Sequence, residues 1–278
     1  MLFGLGLVGG SVARAARAAW PGMRIVGVDR DAIAEVARER GFVDEAVGPD
    51  RAARALADAE LVVLCLPILQ ILAVLERHAS DLGRAVVTDT GSTKREIVAV
   101  ARRCRIPRFV GGHPMAGKAQ GGLAHSDAGL FEDARWLLCS EEDTDPSALS
   151  VLRDFVGGLG ARPVEVSAAD HDRDVALTSH VPHIVVNALA ESVLSQGALD
   201  AAGGSLRDVL QVAGAPFDVW GDTLSTNAVA IRVALEELIA RLQGIASSLE
   251  DKDRMRDLFA RGHAVRERVA EGKEGKKA

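Results

Sequence analysis

The chain has 278 residues, long enough for two domains that each bury a core of their own. Hydrophobic residues make up 48% and charged residues 26%, the balance of an ordinary globular protein, which excludes a disordered or fibrous chain. The formal charge of −6 argues against a nucleic-acid partner, because neutralising phosphates takes clustered Lys and Arg.

The one basic cluster, Lys273, Lys276 and Lys277, reads as a frayed, solvated tail. With 4% aromatics and no tyrosine, aliphatic side chains and alanine must fill the core. Three widely spaced cysteines, Cys65, Cys104 and Cys139, form neither a disulfide framework nor a zinc pattern and fit a reducing cytoplasm. The apolar start lacks the positive region of a signal peptide. The apolar stretch Leu61–Leu75 is interrupted by Pro67 and Gln70 and is too short for a bilayer, so no membrane anchor is expected.

In chain order, Met1–Phe3 is a short first strand; it is briefer than the usual five or six residues, as though the strand began earlier. Further strands are predicted at Arg24–Val28, Leu61–Cys65, Ala85–Thr88, Phe109–Gly111, Trp136–Cys139 and Pro163–Val166. Helices are predicted between them at Gly9–Ala19, Ala32–Arg40, Leu69–Ala79, Lys94–Arg103 and Pro146–Gly157. This alternation predicts an α/β domain with a parallel sheet covered on both faces, over residues 1–167. From 168 to 278 the pattern is all-helical: one long helix over His171–Gln196 apart from Pro182, another over Ser225–Ser248 and a last one over Leu249–Val269. Such a half packs on itself or against a second copy of the chain.

Gly4-Leu5-Gly6-Leu7-Val8-Gly9 reads G-x-G-x-x-G between an apolar run and an Ala-rich helix. Its glycines allow the tight turn, the approach of a pyrophosphate and close helix–strand packing, and the phosphates then sit on the helix N-terminus. Asp29 ends the next strand about 20 residues on, where an acid binds the ribose 2′-OH. Asp29 repels a 2′-phosphate, which favours NAD over NADP; Arg30 beside it pulls the other way. Leu66, Pro67 and Thr90, at the C-terminal ends of later strands, are further candidate cofactor contacts. Gly112–Lys118 matches G-x-x-x-x-G-K, but Ala119 follows where a magnesium-binding Ser or Thr is needed, which excludes a nucleoside triphosphatase.

Three other segments carry candidate chemistry: Asp89-Thr-Gly-Ser92-Thr-Lys94, Gly111-Gly-His113-Pro-Met-Ala-Gly117 and Thr178-Ser-His180-Val-Pro-His183. The first two follow strands, where open α/β sheets bind ligands. Ser92 can serve in a site or cap the helix near Lys94. His180 and His183 share a helix face, but no third ligand stands at metal spacing, so no metal is expected. His78, His125, His171 and His263 read as surface or packing residues.

D-x-G-S-x-K, G-G-H-P-M-A-G and S-H-x-P-H, in that order behind the glycine turn and followed by Trp220-Gly-Asp222, resemble the prephenate/arogenate dehydrogenase family of tyrosine biosynthesis. The resemblance implies oxidative decarboxylation of a cyclohexadiene with hydride transfer to NAD, and a homodimer through the helical domain. It implies that His113 takes the proton of the 4-hydroxyl and that Ser92 bonds that hydroxyl or orients His113. It also implies that His183 holds the substrate side chain and that Trp220 lines the pocket. The chain departs from the family at two places. Gln211 stands where relatives carry an arginine for a substrate carboxylate, and Ala119 where they often carry a glutamate. A glutamine cannot make the charged bidentate clamp. Lys118 or Arg207 is left to supply positive charge, or the substrate is a variant such as arogenate or an amino-substituted prephenate. A non-catalytic dinucleotide-binding regulator and a 3-hydroxyacid dehydrogenase are the rival readings.

Overall fold

The computed structural model describes residues 1–215 and 217–274, with backbone only for 219 and 271–274. Lys276 and Lys277 of the basic tail, and the side chain of Lys273, lie outside the described residues. The chain divides into two compact units, Met1–Ala228 and a second from Val229 onward.

The first unit is built on an eight-stranded sheet. In chain order its first elements are β1 (Leu2–Phe3), α1 (Leu7–Ala19), β2 (Val26–Val28), α2 (Asp31–Glu39), β3 (Glu45–Val47), α3 (Ala52–Leu56), β4 (Leu61–Leu64) and α4 (Ile68–His78). Then come β5 (Val86–Asp89), α5 (Arg95–Arg103), β6 (Phe109–Pro114), β7 (Arg135–Cys139), α6 (Pro146–Gly158) and β8 (Arg162–Val166). The strand order is β3-β2-β1-β4-β5-β6-β7-β8. The first six strands are parallel, so their C-terminal ends share one edge.

The expectation of a wholly parallel sheet is corrected at β7, which runs antiparallel to β6. The reason lies in residues 115–134, which hold a single 3-10 turn and no crossover helix; a parallel return needs such a crossover. α6 provides one, and β8 lies parallel to β7.

Alternating side chains send each strand to two cores. Val63, Val86 and Val110 face α1, α2 and α6 together with Leu5, Phe131 and Trp136. Val62, Leu64 and Val87 face α4 and α5 together with Ile71, Leu75 and Ile97. Each such fully buried side chain contributes about 1.5–3 kcal/mol. β1 has only two residues yet is central, paired with β2 on one side and β4 on the other. Its neighbours extend the ladder: Val63 N–H donates to Met1 O at 3.0 Å and Gly4 N–H to Val28 O at 2.8 Å.

Helices begin at Ala168 with α7 (Ala168–Val175), capped by Ser167, whose hydroxyl accepts Asp170 N–H at 3.0 Å. The helix expected over His171–Gln196 is not uniform. A turn of π-helix at Ala176–His180 separates α7 from α8 (Val181–Ser195), with Pro182 in the first turn of α8. α9 (Gly204–Leu210), a 3-10 turn (Gln211–Gly214) and α10 (Phe217–Thr226) complete this unit.

The second unit holds nearly all of α11 (Ala228–Ala246), and α12 (Lys252–Glu274), which Asp251 caps by accepting Arg254 N–H at 3.0 Å. Val229, Ile239, Leu242, Phe259 and Val265 are exposed on these two helices. Among the described residues no helix is long and apolar enough to cross a membrane.

Candidate active site

The glycine turn lies at the C-terminal end of β1. Gly4 has φ of +85°, and a Cβ there would stand 2.3 Å from Cys65 O. A Cβ on Gly9 would stand 1.8 Å from Gly4 O, so α1 and β1 can meet only through glycine. Gly6 is different: a Cβ there meets nothing within 4 Å, so the turn is open toward solvent on that side. No side chain caps α1 at Gly6, and its first turn carries no acid. The free N–H groups beside Leu7 and Val8 form an anion-accepting helix end. Asp29 braces the turn, its carboxylate accepting Leu5 N–H and Arg30 N–H, both at 2.7 Å. The Arg30 side chain is exposed. Leu66 lies against Gly4, Pro67 opens α4, and Thr90 N–H donates to Leu64 O at 3.0 Å.

Two strands along the same edge, the loops after β5 and β6 are joined by a buried ion pair. Lys94 and Asp89 are both wholly buried and bonded to each other, and Lys94 Nζ also donates to Gly112 O at 2.7 Å. Asp89 accepts Gly91 N–H at 2.8 Å and Gly112 N–H at 3.1 Å. The backbone before His113 is thereby locked, and Gly112 must lack a side chain, because a Cβ would stand 2.5 Å from Asp89 O.

Ser92 does not cap α5. Its hydroxyl bonds Thr223 Oγ1 at 2.7 Å, and Thr93 Oγ1 bonds Thr226 Oγ1 at 2.8 Å, which ties this loop to α10. The cap comes instead from Asp172 of α7, whose carboxylate accepts Lys94 N–H at 2.7 Å and Arg95 N–H at 2.9 Å.

His113 Nδ1 lies 2.9 Å from His171 Nε2, and His171 Nδ1 lies 2.8 Å from Asp172 Oδ1. The reading of His171 as a surface or packing residue is corrected here: it is buried in the network that holds His113. Burial pushes His113 well below the ordinary imidazole range, with the nearby charges of His171, Lys94 and His180 acting the same way. Burial also lowers His171, against the opposing pull of Asp172.

The π turn brings His180 to the same cluster. His180 is buried, its Nδ1 3.2 Å from Asn227 Nδ2, and burial pushes it down to about 4. Three residues on, His183 is half-buried, with its ring centroid 3.9 Å from that of Trp220. Gln211 is exposed at the start of the 3-10 turn. His113, Ser92, His183 and Trp220 thus converge with His171, His180 and Thr223; of these last three only His180 lies in a segment singled out from the sequence, and none was given a role there. Lys118 is exposed and paired with Asp127 at 2.9 Å. A cavity of about 1160 Å³ opens among Trp20, Met23, Arg24, Glu45 and Arg54 at the opposite ends of the strands, and holds none of the motif residues.

Residues 12–165 match the family described as "Prephenate dehydrogenase, nucleotide-binding domain", and residues 167–261 match "Prephenate dehydrogenase, dimerization domain". The chain belongs to the prephenate dehydrogenase family. It is 34% identical to the prephenate dehydrogenase of Bacillus subtilis, over 91% of this chain and 70% of that one. Its fold matches the crystal structure of Synechocystis arogenate dehydrogenase with a TM-score of 0.86 at 30% identity, covering 96% of this chain and 98% of the other. The Aquifex aeolicus prephenate dehydrogenase in complex with hydroxyphenyl propionate and NAD+ shares the fold, with a TM-score of 0.87 at 24% identity over 97% and 96% of the two chains. A Rossmann-like sheet followed by helices is therefore the family architecture, as expected from the alternation and from the resemblance.

Proposed function

We propose that the chain oxidatively decarboxylates prephenate to 4-hydroxyphenylpyruvate with NAD as hydride acceptor. The observation that carries this reading is His113, held by a buried hydrogen-bond chain at the sheet edge that also bears an open, uncapped glycine turn.

The residues present fit a dinucleotide. Gly6 leaves room for a pyrophosphate, the α1 N-terminus faces it, and Asp29 offers its remaining acceptor sites to a ribose. Leu66, Pro67 and Thr90 line the next strand ends. Asp29 favours the 2′-OH of NAD over a 2′-phosphate. Bound NAD supplies the acceptor for the hydride that leaves C4 of the ring.

His113 takes the proton of the 4-hydroxyl, a task that needs a neutral imidazole, and burial keeps it neutral through the physiological range. The C1–carboxylate bond breaks, its electron pair completes the aromatic ring, and CO2 leaves. Ser92, linked to Thr223, lies on the loop that positions the same hydroxyl. His183, packed against Trp220, holds the substrate side chain.

Gln211 favours a second reading, in which the substrate is arogenate. An uncharged amide tolerates the ammonium of an amino side chain, which a guanidinium would repel. The name of the second family domain and the exposed apolar side chains of α11 and α12 support a homodimer. Three free cysteines fit a cytoplasmic setting.

The test is formation of reduced nicotinamide with prephenate and arogenate, each with NAD+ and NADP+, compared by kcat/KM. Turnover of prephenate with NAD+ is expected, and His113→Asn should lower kcat by about 10²–10⁴ while leaving dinucleotide affinity intact. Dinucleotide binding without turnover of either substrate would overturn the reading in favour of a regulator.

A further inference from the structure

Asp172 sits where a carboxylate can only accept. Lys94 N–H and Arg95 N–H point at its two oxygens, and both donors are backbone amides of the buried start of α5. The remaining neighbour at Oδ1 is His171 Nδ1, at 2.8 Å. A hydrogen bond between them requires the proton on His171 Nδ1. A neutral imidazole protonated at Nδ1 presents a bare lone pair at Nε2. That lone pair lies 2.9 Å from His113 Nδ1, which must then carry the proton of His113. What remains on His113 is an unprotonated Nε2. It has no hydrogen-bond partner among the described residues and is not among the buried polar atoms left without one, so it is reached from solvent.

We propose that His171 and Asp172 are positioning residues that fix His113 as its Nδ1–H tautomer and so make Nε2 a proton acceptor for substrate. The inference rests on the reading of His113 as the group that takes the hydroxyl proton. Without the relay a neutral His113 would divide between two tautomers, and the Nε2–H form would offer a donor where an acceptor is needed. The groups facing the relay are Asp172 on α7, Lys94 and Asp89 below it, and His180 on the π turn. Lys94 is held by Asp89, and His180 is turned toward Asn227, so neither competes for the bonds of the relay. His171 and Asp172 are themselves held rigidly. Asn227 Nδ2 donates to Asp172 O at 2.8 Å, and both side chains are wholly buried.

The direct test is the 15N spectrum of histidine-labelled protein near neutral pH, with His113→Asn and His171→Gln used to assign the signals. The expected result is His113 protonated at Nδ1 and bare at Nε2, with His171 also protonated at Nδ1. A His113 protonated at Nε2 overturns the proposal, whatever the enzyme turns over. The kinetic test compares His171→Leu, which cannot accept from His113, with His171→Gln, whose amide oxygen can. His171→Leu should lower kcat about a hundredfold with KM and dinucleotide affinity near wild type, and His171→Gln should recover part of the loss. Equal kcat in both variants and wild type overturns the proposal, as does a loss that Gln does not relieve. If neither prephenate nor arogenate is turned over while His113 shows the expected tautomer, the substrate assignment fails and the relay stands.

Discussion

The carboxylate of Asp172 accepts the backbone N–H of Lys94 at 2.7 Å, and this bond fastens the first helix after the sheet to the loop that carries Ser92. One side chain therefore closes a helix, joins two parts of the chain and orients His171.

Asp172→Ala should destabilise the protein by about 2–4 kcal/mol. The loss combines a helix cap, about 1 kcal/mol, with buried donors left without partners, about 1–3 kcal/mol. Urea unfolding monitored by circular dichroism measures it, and a change within about 0.5 kcal/mol, the size of an ordinary surface substitution, would contradict the capping role.

Lys94→Met should cost about 3–5 kcal/mol, because it leaves Asp89 buried and charged without its partner. Adding Asp89→Asn should recover much of the loss, since the amide oxygen still accepts from a backbone N–H of Gly91 or Gly112. A double-mutant cycle in urea tests this; strict additivity of the two losses would show that the pair does not interact.

Stability should fall with acid in a defined window. His180 is held at about 4 in the folded chain, against about 6.5 for a free imidazole. A depressed imidazole means that the unfolded chain binds the proton first. The contribution is complete above about pH 6.5 and is lost as pH falls toward 4. Thermal melts across this range should show Tm dropping, and His180→Gln should flatten the slope. His113, also lowered, places the acid limb of the kcat/KM profile, which reports the free enzyme, below the ordinary histidine range.

Gln211→Arg should raise kcat/KM for prephenate by about 10- to 100-fold, the worth of a charge-assisted bond to a carboxylate. Arogenate should gain less, because its ammonium is repelled. Steady-state kinetics with both substrates decide it; identical changes for the two would remove Gln211 from their discrimination.

Much of this was legible because the sheet is buried on both faces, so Leu61–Leu64 and Val86–Thr88 stand out as short valine-rich runs. β3 and α3 were not. Glu45-Ala-Val47 is too short and mixed to show a period, and Ala52–Leu56 has barely one turn. The direction of β7 depends on what residues 115–134 do in space. His113 stood out through its glycine loop, whereas His171 and Asp172 were hidden in a run of charges, Asp170-His-Asp-Arg-Asp174, that looks like a solvated helix. A signal was present. Ala168, His171, Asp172 and Val175 fall at i, i+3, i+4 and i+7, and these are the buried positions of α7. A histidine and an aspartate in register with apolar neighbours mark a polar network turned inward.

The π turn at Ala176–His180 acts as a phase shifter between α7 and α8. Each residue of an α-helix advances the side-chain direction by about 100°, so one extra residue within a turn re-aims everything downstream of it. The azimuth at which Asp172 and His171 meet the sheet and the azimuth at which His180 and His183 meet Trp220 are set independently, though both lie on one nearly continuous rod. Chain length in this segment is thus an angular variable: removing a single residue between 176 and 180 is a rotation of His180 and His183 away from the face that carries His171 and Asp172.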